Sequence, residues 1–365
     1  MLFRAVHDPI LAGTLPESAA ALRAWDGIGA PPDHVHERLL RELPDAFRER
    51  RLAATAQRLN HEISGFRSLL LSTGRTLAAG PPAVDDPRAA LAAIDPRWQD
   101  PAHWAALRRA AFTITDFYLL SALDLRRNEH GWVTTVPPEE AVFVSILVRT
   151  LTISAVVTLI CLVLAYPLAY VVATAPARLG NVLMILILLP FWTSLLVRTS
   201  AWVVLLQNEG IVNGLFLASG LVDQPVQMIF NRFGVYVAMS HVLLPFMILP
   251  LYSVMKTIDP AIMRAAASLG APPLTAFLRV YLPQSLPGIG AGGLLVFILA
   301  IGYYITPALV GGANDQMVSY FIAFYTNRTV NWGLAGALAT LLLAATAVLY
   351  AVYVRIAGTA GVRMG

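Results

Sequence analysis

The chain reads as an all-α membrane protein: five transmembrane helices preceded by a mostly helical extracytoplasmic segment. Three observations predict this. The first is bulk hydropathy: 57% of the 365 residues are hydrophobic and mean hydropathy is +0.64, too apolar for a water-soluble chain of this length. The second is the distribution of charge: of 26 basic and 22 acidic residues, 34 lie in residues 1–140 and 14 in the remaining 225. The third is a set of five apolar stretches in that second part, each close to the ~20 residues that cross the hydrocarbon.

Residues 1–140 carry helical periodicity. Asp33–Arg51 and Ala53–Leu71 repeat apolar residues at three- and four-residue spacing, and Pro81-Pro82 and Pro101 punctuate them. Arg38 and Glu42, one turn apart, suit a solvated helix face. His34, His36 and Glu37 cluster at the first helix start and read as a solvated turn rather than a metal site. No nucleophile–base arrangement stands out. Met1-Leu-Phe-Arg4 is followed at once by His7, Asp8 and Pro9, so no signal-peptide core forms. An external segment then needs another way across. The expectation is a transmembrane helix upstream of Met1.

The expected spans are Ile146–Ala173, Val182–Leu206, Val235–Met255, Ile289–Val310 and Leu334–Val354. Pro167, Pro190, Pro245, Pro250 and Pro307 fall within them. Helices in lipid tolerate proline where neighbours satisfy the freed carbonyl, so these read as kinks, for packing or for shaping a pathway. Short-loop cations set orientation. Arg178, Lys256, Arg264, Arg279, Arg355 and Arg363 fall on one side, against Arg232 and Arg328 on the other. The first side, with the C-terminus, is therefore cytoplasmic, and residues 1–140 lie outside.

A charge inside a span is costly and marks function by default. Arg198 is the clear case, with two readings: a group facing an aqueous pathway, or a clamp on helix ends. His241, Trp192, Trp202, Tyr303 and Tyr304 are further pathway candidates, against packing for the histidine and interface anchoring for the aromatics.

Between the third and fourth spans lies a short polar segment, 256–288. Asp259 suits an N-cap, Pro260 the first helical position and Gly270 the position after the C-cap. Pro272-Pro273 forbids continuation. Thr275–Tyr281 forms a second short helix ending at Leu282-Pro283. Two brief helices meeting at a glycine make a knob. Its small face, Ala265 to Ala267, lets a partner's backbone approach. The one lysine, Lys256, follows Met255, so no Gly-Lys pair for a phosphate loop exists, and any ATPase is a separate polypeptide. The one cysteine, Cys161, excludes an intrachain disulfide. A net charge of +4 gives no case for nucleic acid. No cofactor or metal is indicated.

Arg264-Ala-Ala-Ala-Ser-Leu-Gly270, with Leu282-Pro283 and Pro287-Gly288-Ile289, resembles the coupling loop of ABC-importer permeases, usually E-A-A-x-x-x-G followed by L-P and P-x-I. Over roughly Val142–Gly358 the chain looks like a spermidine/putrescine-type permease of a binding-protein-dependent importer. Pro190–Thr199, Asn208–Asn213, Leu244–Tyr252 and Tyr304–Gly312 carry that finer likeness. The resemblance implies a type I permease core, a bacterial inner-membrane location and transport by alternating access. It implies ATP-binding subunits docking on Arg264, Ala265, Ala266, Ser268, Leu269, Gly270, Phe277 and Pro283. It also implies a second, different permease subunit and a periplasmic binding protein. Arg264 departs from the family's usual glutamate. Six spans are usual, so the family's first helix is missing here and residues 1–140 match an insertion that follows it. Recognition of a polyamine calls for carboxylates and aromatic faces, yet the expected spans hold no Asp or Glu. A membrane enzyme lacks its acid or nucleophile cluster. A membrane-anchored receptor or scaffold with an external ligand-binding segment is the remaining alternative.

Overall fold

A computed structural model of the chain describes residues 2–80, 84–128 and 131–362, with side chains as far as Arg355. Pro81-Pro82 and Arg363 lie outside the described residues. The chain divides into two compact units, Met1–Ala141 with Asn331–Ala337, and Val142–Val330 with Leu338–Gly365.

The first unit is helical: α1 (Leu2–Val6), α2 (Ile10–Thr14), α3 (Pro16–Ala24), α4 (Asp33–Arg48), α5 (Leu52–Asn60), α6 (Phe66–Ala79), α7 (Pro87–Ile94), α8 (Pro101–Ala111) and α9 (Phe117–Ala122). A small hairpin follows, β1 (Leu125–Arg127) antiparallel to β2 (Val133–Thr135). Helix starts recur on one chemical device. Asp86-Pro87, Asp95-Pro96 and Asp100-Pro101 each place a carboxylate over the N–H two residues on, at 3.1, 3.0 and 2.9 Å. The core of Leu, Ala, Phe66, Trp98 and Trp104 is closed by polar bonds from both indoles: Trp98 Nε1 donates to Thr73 Oγ1 and Trp104 Nε1 to the Trp98 carbonyl.

Three local expectations need correction. The expected helix Ala53–Leu71 is broken, because the Asn60 side chain leaves the helix to accept from the N–H groups of Gly65 and Arg67. Arg38 pairs with Glu17 rather than Glu42, since Glu42 accepts from Glu17 N and Ser18 N at the start of α3. His36 is buried against Trp104, ring centroids 4.6 Å apart, not solvated. Among the described residues no His, Cys, Asp and Glu grouping could hold a metal ion.

A buried ionic knot ties this unit together. The Arg58 guanidinium meets Asp8 and Glu62 and lies 4.0 Å from the Phe117 ring centroid. Tyr118 Oη donates to Asp8, and Arg109 pairs with Glu62 at 2.5 Å. Burial pushes the Tyr118 hydroxyl up. Burial, then the Arg58 charge, holds His61 below the usual imidazole value, and burial does the same to His36.

The second unit begins with α10 (Phe143–Thr174), followed by α11 (Ala177–Leu188) and a 3₁₀ turn, Leu189–Trp192. Then come α12 (Leu195–Leu206), α13 (Ile211–Ala218), α14 (Arg232–Thr257), α15 (Pro260–Ser268) and α16 (Pro273–Ala276). A π-turn, Phe277–Tyr281, leads into α17 (Leu282–Gly302), then α18 (Ile305–Val310), α19 (Val318–Asn327) and α20 (Trp332–Val362). Five helical stretches are long and apolar enough to cross a membrane: Phe143–Thr174, Leu195–Ala218, Arg232–Thr257, Pro273–Gly302 and Trp332–Arg355.

The centre is α10, α14 and α17, with Ile153, Val157, Cys161, Met239, Leu243 and Val296 fully enclosed. Gly288 and Gly292, four apart on α17, face α14. A Cβ at either would meet its backbone, at 3.2 Å from Leu251 Cα and 3.1 Å from the Met247 carbonyl. This small-residue stripe is what lets the two helices close.

Two expected spans differ from the structure. Val182–Leu206 is not continuous: Pro190 opens a 3₁₀ turn, Thr193 and Ser194 leave helical geometry, and α12 starts afresh. The fourth span runs from Pro273 to Gly302, earlier at both ends than Ile289–Val310. It stops at Tyr303 because Pro307 has no N–H for the Tyr303 carbonyl, and its ring would crowd that oxygen. Helix α14 runs on through Pro245 and Pro250.

Candidate functional site

The hairpin at 256–288 is built from backbone capping. Asp259 accepts from Ala261 N at 2.8 Å and Pro260 opens α15. At the other end Gly270 takes φ +84°, donating to the Ala267 carbonyl, while Ala271 donates to Ala266. That pair of bonds is a complete Schellman cap, and the left-handed residue in it favours glycine. Helix α15 buries no residue. Arg264, Ala265, Ser268, Leu269 and Gly270 are exposed, and Ala266 is half-buried. Ser268 Oγ returns to the Arg264 carbonyl at 3.0 Å. Leu269 at 89% and Trp192 at 90% exposure are the two most exposed large apolar residues described.

Phe277 and Pro283, expected on the same surface, sit differently. Phe277 is half-buried and stacks on Tyr281 at 5.8 Å, with Tyr166 and Tyr170 edge-on at 6.0 and 6.1 Å. Pro283 is half-buried inside a continuous helix. The expected helix end at Leu282-Pro283 does not occur, because the π-turn absorbs the proline. Lys256 Nζ caps the end of α10, donating to the Ala173 carbonyl at 3.2 Å.

Across the bundle, α12, α14 and the end of α17 gather a polar group. Trp202 Nε1 donates to His241 Nδ1 at 3.2 Å, which fixes that nitrogen as the acceptor. His241 and Tyr303 both lie within electrostatic reach of Arg198. The guanidinium itself grips the broken helix: Nη2 donates to the carbonyls of Pro190 and, at 3.0 Å, Thr193. Arg198 Nε is buried with no partner among the described residues. Thr199 Oγ1 and Thr306 Oγ1, 3.3 Å apart, join α12 to α18, so the two interrupted spans meet. Trp192 and Tyr304, at 90% and 42% exposure, present their rings outward instead.

Sequence reasoning missed two features. Arg149 lies within the first expected span and donates to the Gln316 carbonyl at 3.3 Å. Near it, the buried Asp315 accepts from Arg232 Nε at 2.9 Å and Gly312 N at 3.1 Å. Arg149 was legible as a second intramembrane charge. The wall of Tyr166, Tyr170 and Tyr281 around Phe277 had no local sequence signal.

Broken apolar spans around a polar cluster, with a capped and unpartnered helical knob between two of them, define a membrane transport subunit. The chain belongs to the family described as binding-protein-dependent transport system inner membrane component, whose model matches residues 162–359. It is a multi-pass inner-membrane permease and not an enzyme; ATP hydrolysis lies on a partner subunit. It is 32% identical over 216 residues to the spermidine/putrescine transport system permease protein PotB of Escherichia coli, covering 59% of this chain and 78% of that one. With PotB of Haemophilus influenzae it shares 35% over 207 residues, covering 57% and 72%. A solved bacterial alginate ABC transporter, in complex with a pentasaccharide-bound periplasmic protein, matches at 17% identity and TM-score 0.49 over 59% of this chain and 77% of that one.

Proposed function

We propose that the chain is the permease subunit of an importer for a small polyamine-class solute, and that hairpin 256–288 is where an ATP-binding subunit docks. The observation that carries the docking reading is α15: both ends are rigidly capped, yet none of its residues is buried within the chain. A helix this short is marginal alone, so such capping without burial suits a surface completed by a partner. Arg264, Ala265, Ala266, Ser268, Leu269 and Gly270 form the contact. Phe277 and Pro283 join it to the fourth span.

The hairpin and the C-terminus face the cytoplasm, and residues 1–140 face outside. The cation asymmetry of the short loops supports this. The external unit serves as a cap that meets a periplasmic binding protein. A second, related permease completes the pathway. Arg198 shapes that pathway by holding the break in the second span, with His241 and Tyr303 beside it and Trp192 and Tyr304 turned to the partner permease or the solute. The polyamine class rests on the two PotB relatives. Among the described spanning stretches the one carboxylate is Glu209, in Leu195–Ala218, so most of the selectivity for a polycation resides in the binding protein.

The test is co-purification from cells carrying the whole importer. An ATP-binding subunit comes down with the wild-type chain and is lost on Gly270→Asp, with spermidine uptake lost in parallel. Retention of that subunit by Gly270→Asp, or a complex with no ATP-binding subunit at all, would refute docking here. Normal uptake of spermidine and putrescine after deletion of this chain would refute the solute class.

A further inference from the structure

Just past the docking knob, near the start of the fourth span, the helix changes register. Leu282 N–H bonds to the carbonyl of Phe277, five residues back, closing a π-turn over Phe277–Tyr281. Single π-turns inside helices are uncommon and costly, and they concentrate at working positions. The next residue is Pro283, which has no N–H. It can donate neither to Arg279, four back, nor to Leu278, five back. The ladder therefore already has a gap at this point, where register can shift without breaking a further bond. The Val280 carbonyl accepts from the Gln284 side chain at 3.0 Å, a bond that does not depend on backbone register.

The turn is wrapped by aromatic rings. Phe277 and Tyr281 stack, Tyr170 meets Tyr281 edge-on at 5.1 Å, and Tyr166 and Tyr170 meet Phe277 in the same way. Tyr166 Oη is bonded to Ser285 Oγ at 2.9 Å. Tyr281 is the exception. It is 5% exposed, and its hydroxyl has no hydrogen-bond partner among the described residues. The Tyr166 and Tyr170 hydroxyls lie within its electrostatic reach. A phenylalanine would fill this space without leaving a buried hydroxyl unpaired, so the hydroxyl has no work in the state described.

We propose that the π-turn Phe277–Tyr281 is a register joint between the docking knob and the body of the fourth span, and that Tyr281 is its positioning residue. Movement of the knob converts the turn from i→i+5 to i→i+4 pairing. A one-residue slip turns one side of the helix against the other by about 100° and shifts it by about 1.5 Å. The rotated Tyr281 hydroxyl then gains a partner on the tyrosine wall, which stabilises the shifted state. This rests on the docking reading above.

Tyr281→Phe in the assembled importer tests it. Three quantities are read together: the ATP-binding subunit retained on purification, the melting temperature of the complex, and its rate of ATP hydrolysis. The expected result is wild-type retention and melting temperature with hydrolysis slowed roughly tenfold, the factor for one hydrogen bond lost from a single state. Hydrolysis within about twofold of wild type overturns the joint, because a residue that only packs tolerates this change. Loss of the ATP-binding subunit, or a lowered melting temperature, also overturns it by making Tyr281 structural. Should Gly270→Asp fail to release the ATP-binding subunit, the docking reading falls instead, and the joint with it. The two failures are thus distinguishable.

Discussion

Replacing Arg198 separates a clamp from a solute contact. Nη2 holds the carbonyls of Pro190 and Thr193. The Pro190 carbonyl also accepts from Thr193 N and Thr193 Oγ1, at 3.2 and 2.7 Å, so it keeps partners when the guanidinium goes. The loss therefore falls mainly on Thr193. A bond to a charged donor contributes about 1.5–3 kcal/mol. Arg198 is only half-buried in this chain, so the low end applies. One full bond and part of a second give about 2–3 kcal/mol for Arg198→Met. That corresponds to roughly 4–12 °C in melting temperature for a unit of this size. Lysine keeps the charge but not the fork, and one ammonium cannot reproduce a planar grip. Arg198→Lys therefore falls between wild type and Arg198→Met. The assay is a thermal scan of the purified subunit in detergent alongside uptake in cells. Wild-type melting for both variants with uptake abolished would refute the clamp and assign the guanidinium to the passing solute.

Three further outcomes are expected. Arg58→Met leaves Asp8 and Glu62 buried without their shared cation and costs about 3–5 kcal/mol, with Arg58→Met/Asp8→Asn recovering part of it in thermal scans of the full chain; a loss under 1 kcal/mol would contradict the knot's role. At Gly270 there is open space around an added Cβ but φ is +84°, so Gly270→Asn, which takes that angle without adding charge to the docking surface, stays near wild type, whereas Gly270→Asp loses ATP-binding subunit through its charge and Gly270→Val loses it several-fold through the angle; equal losses for Asn and Val would mean the backbone angle is not the cause. His36 and His61 have lowered folded-state pKa values, so their contribution is full above the unfolded value of about 6.5 and is lost as pH falls below it. Melting of the first unit, followed by tryptophan fluorescence, should drop between pH 7.5 and 5.5, and His36→Gln/His61→Gln should flatten that drop; an unaltered profile in the double variant would exclude these histidines.

Legibility in the sequence followed the range of the interactions involved. Asp259, Pro260 and Gly270 were readable because caps are set within four residues of chain. The same Asp-Pro signal stands at 86, 95 and 100 and starts three elements of the first unit. Span positions were readable from hydropathy, but their ends were not. Pro307 terminates the fourth span four residues upstream of itself, whereas Pro245 and Pro250 sit inside an unbroken α14. The sequence shows the missing N–H in every case; whether the freed carbonyl finds cover depends on neighbours far away in the chain. Arg198 illustrates the same limit: its contacts with the carbonyls of Pro190 and Thr193 could not be read from sequence, because they depend on how the chain breaks at Pro190.

The two interrupted spans bear on how the permease works. Backbone that leaves helical geometry at membrane depth is tolerated only where protein covers it or water reaches it. At Leu189–Ser194 the chain covers little: Leu189, Phe191, Trp192, Thr193 and Ser194 are all exposed. What cover there is comes from Arg198 and from Phe191 against Phe246, 5.0 Å between ring centroids. This exposed segment joins the shorter apolar helix Ala177–Trp192 to the spanning stretch Leu195–Ala218. The break at Tyr303 lies on the same flank, through the Thr199–Thr306 contact. The central helices α10, α14 and α17 pack by close backbone approach and have little freedom to deform. The short helices beside the non-helical segments are freer to tilt, and the Arg198 bonds to the Pro190 and Thr193 carbonyls restrain the first of those segments.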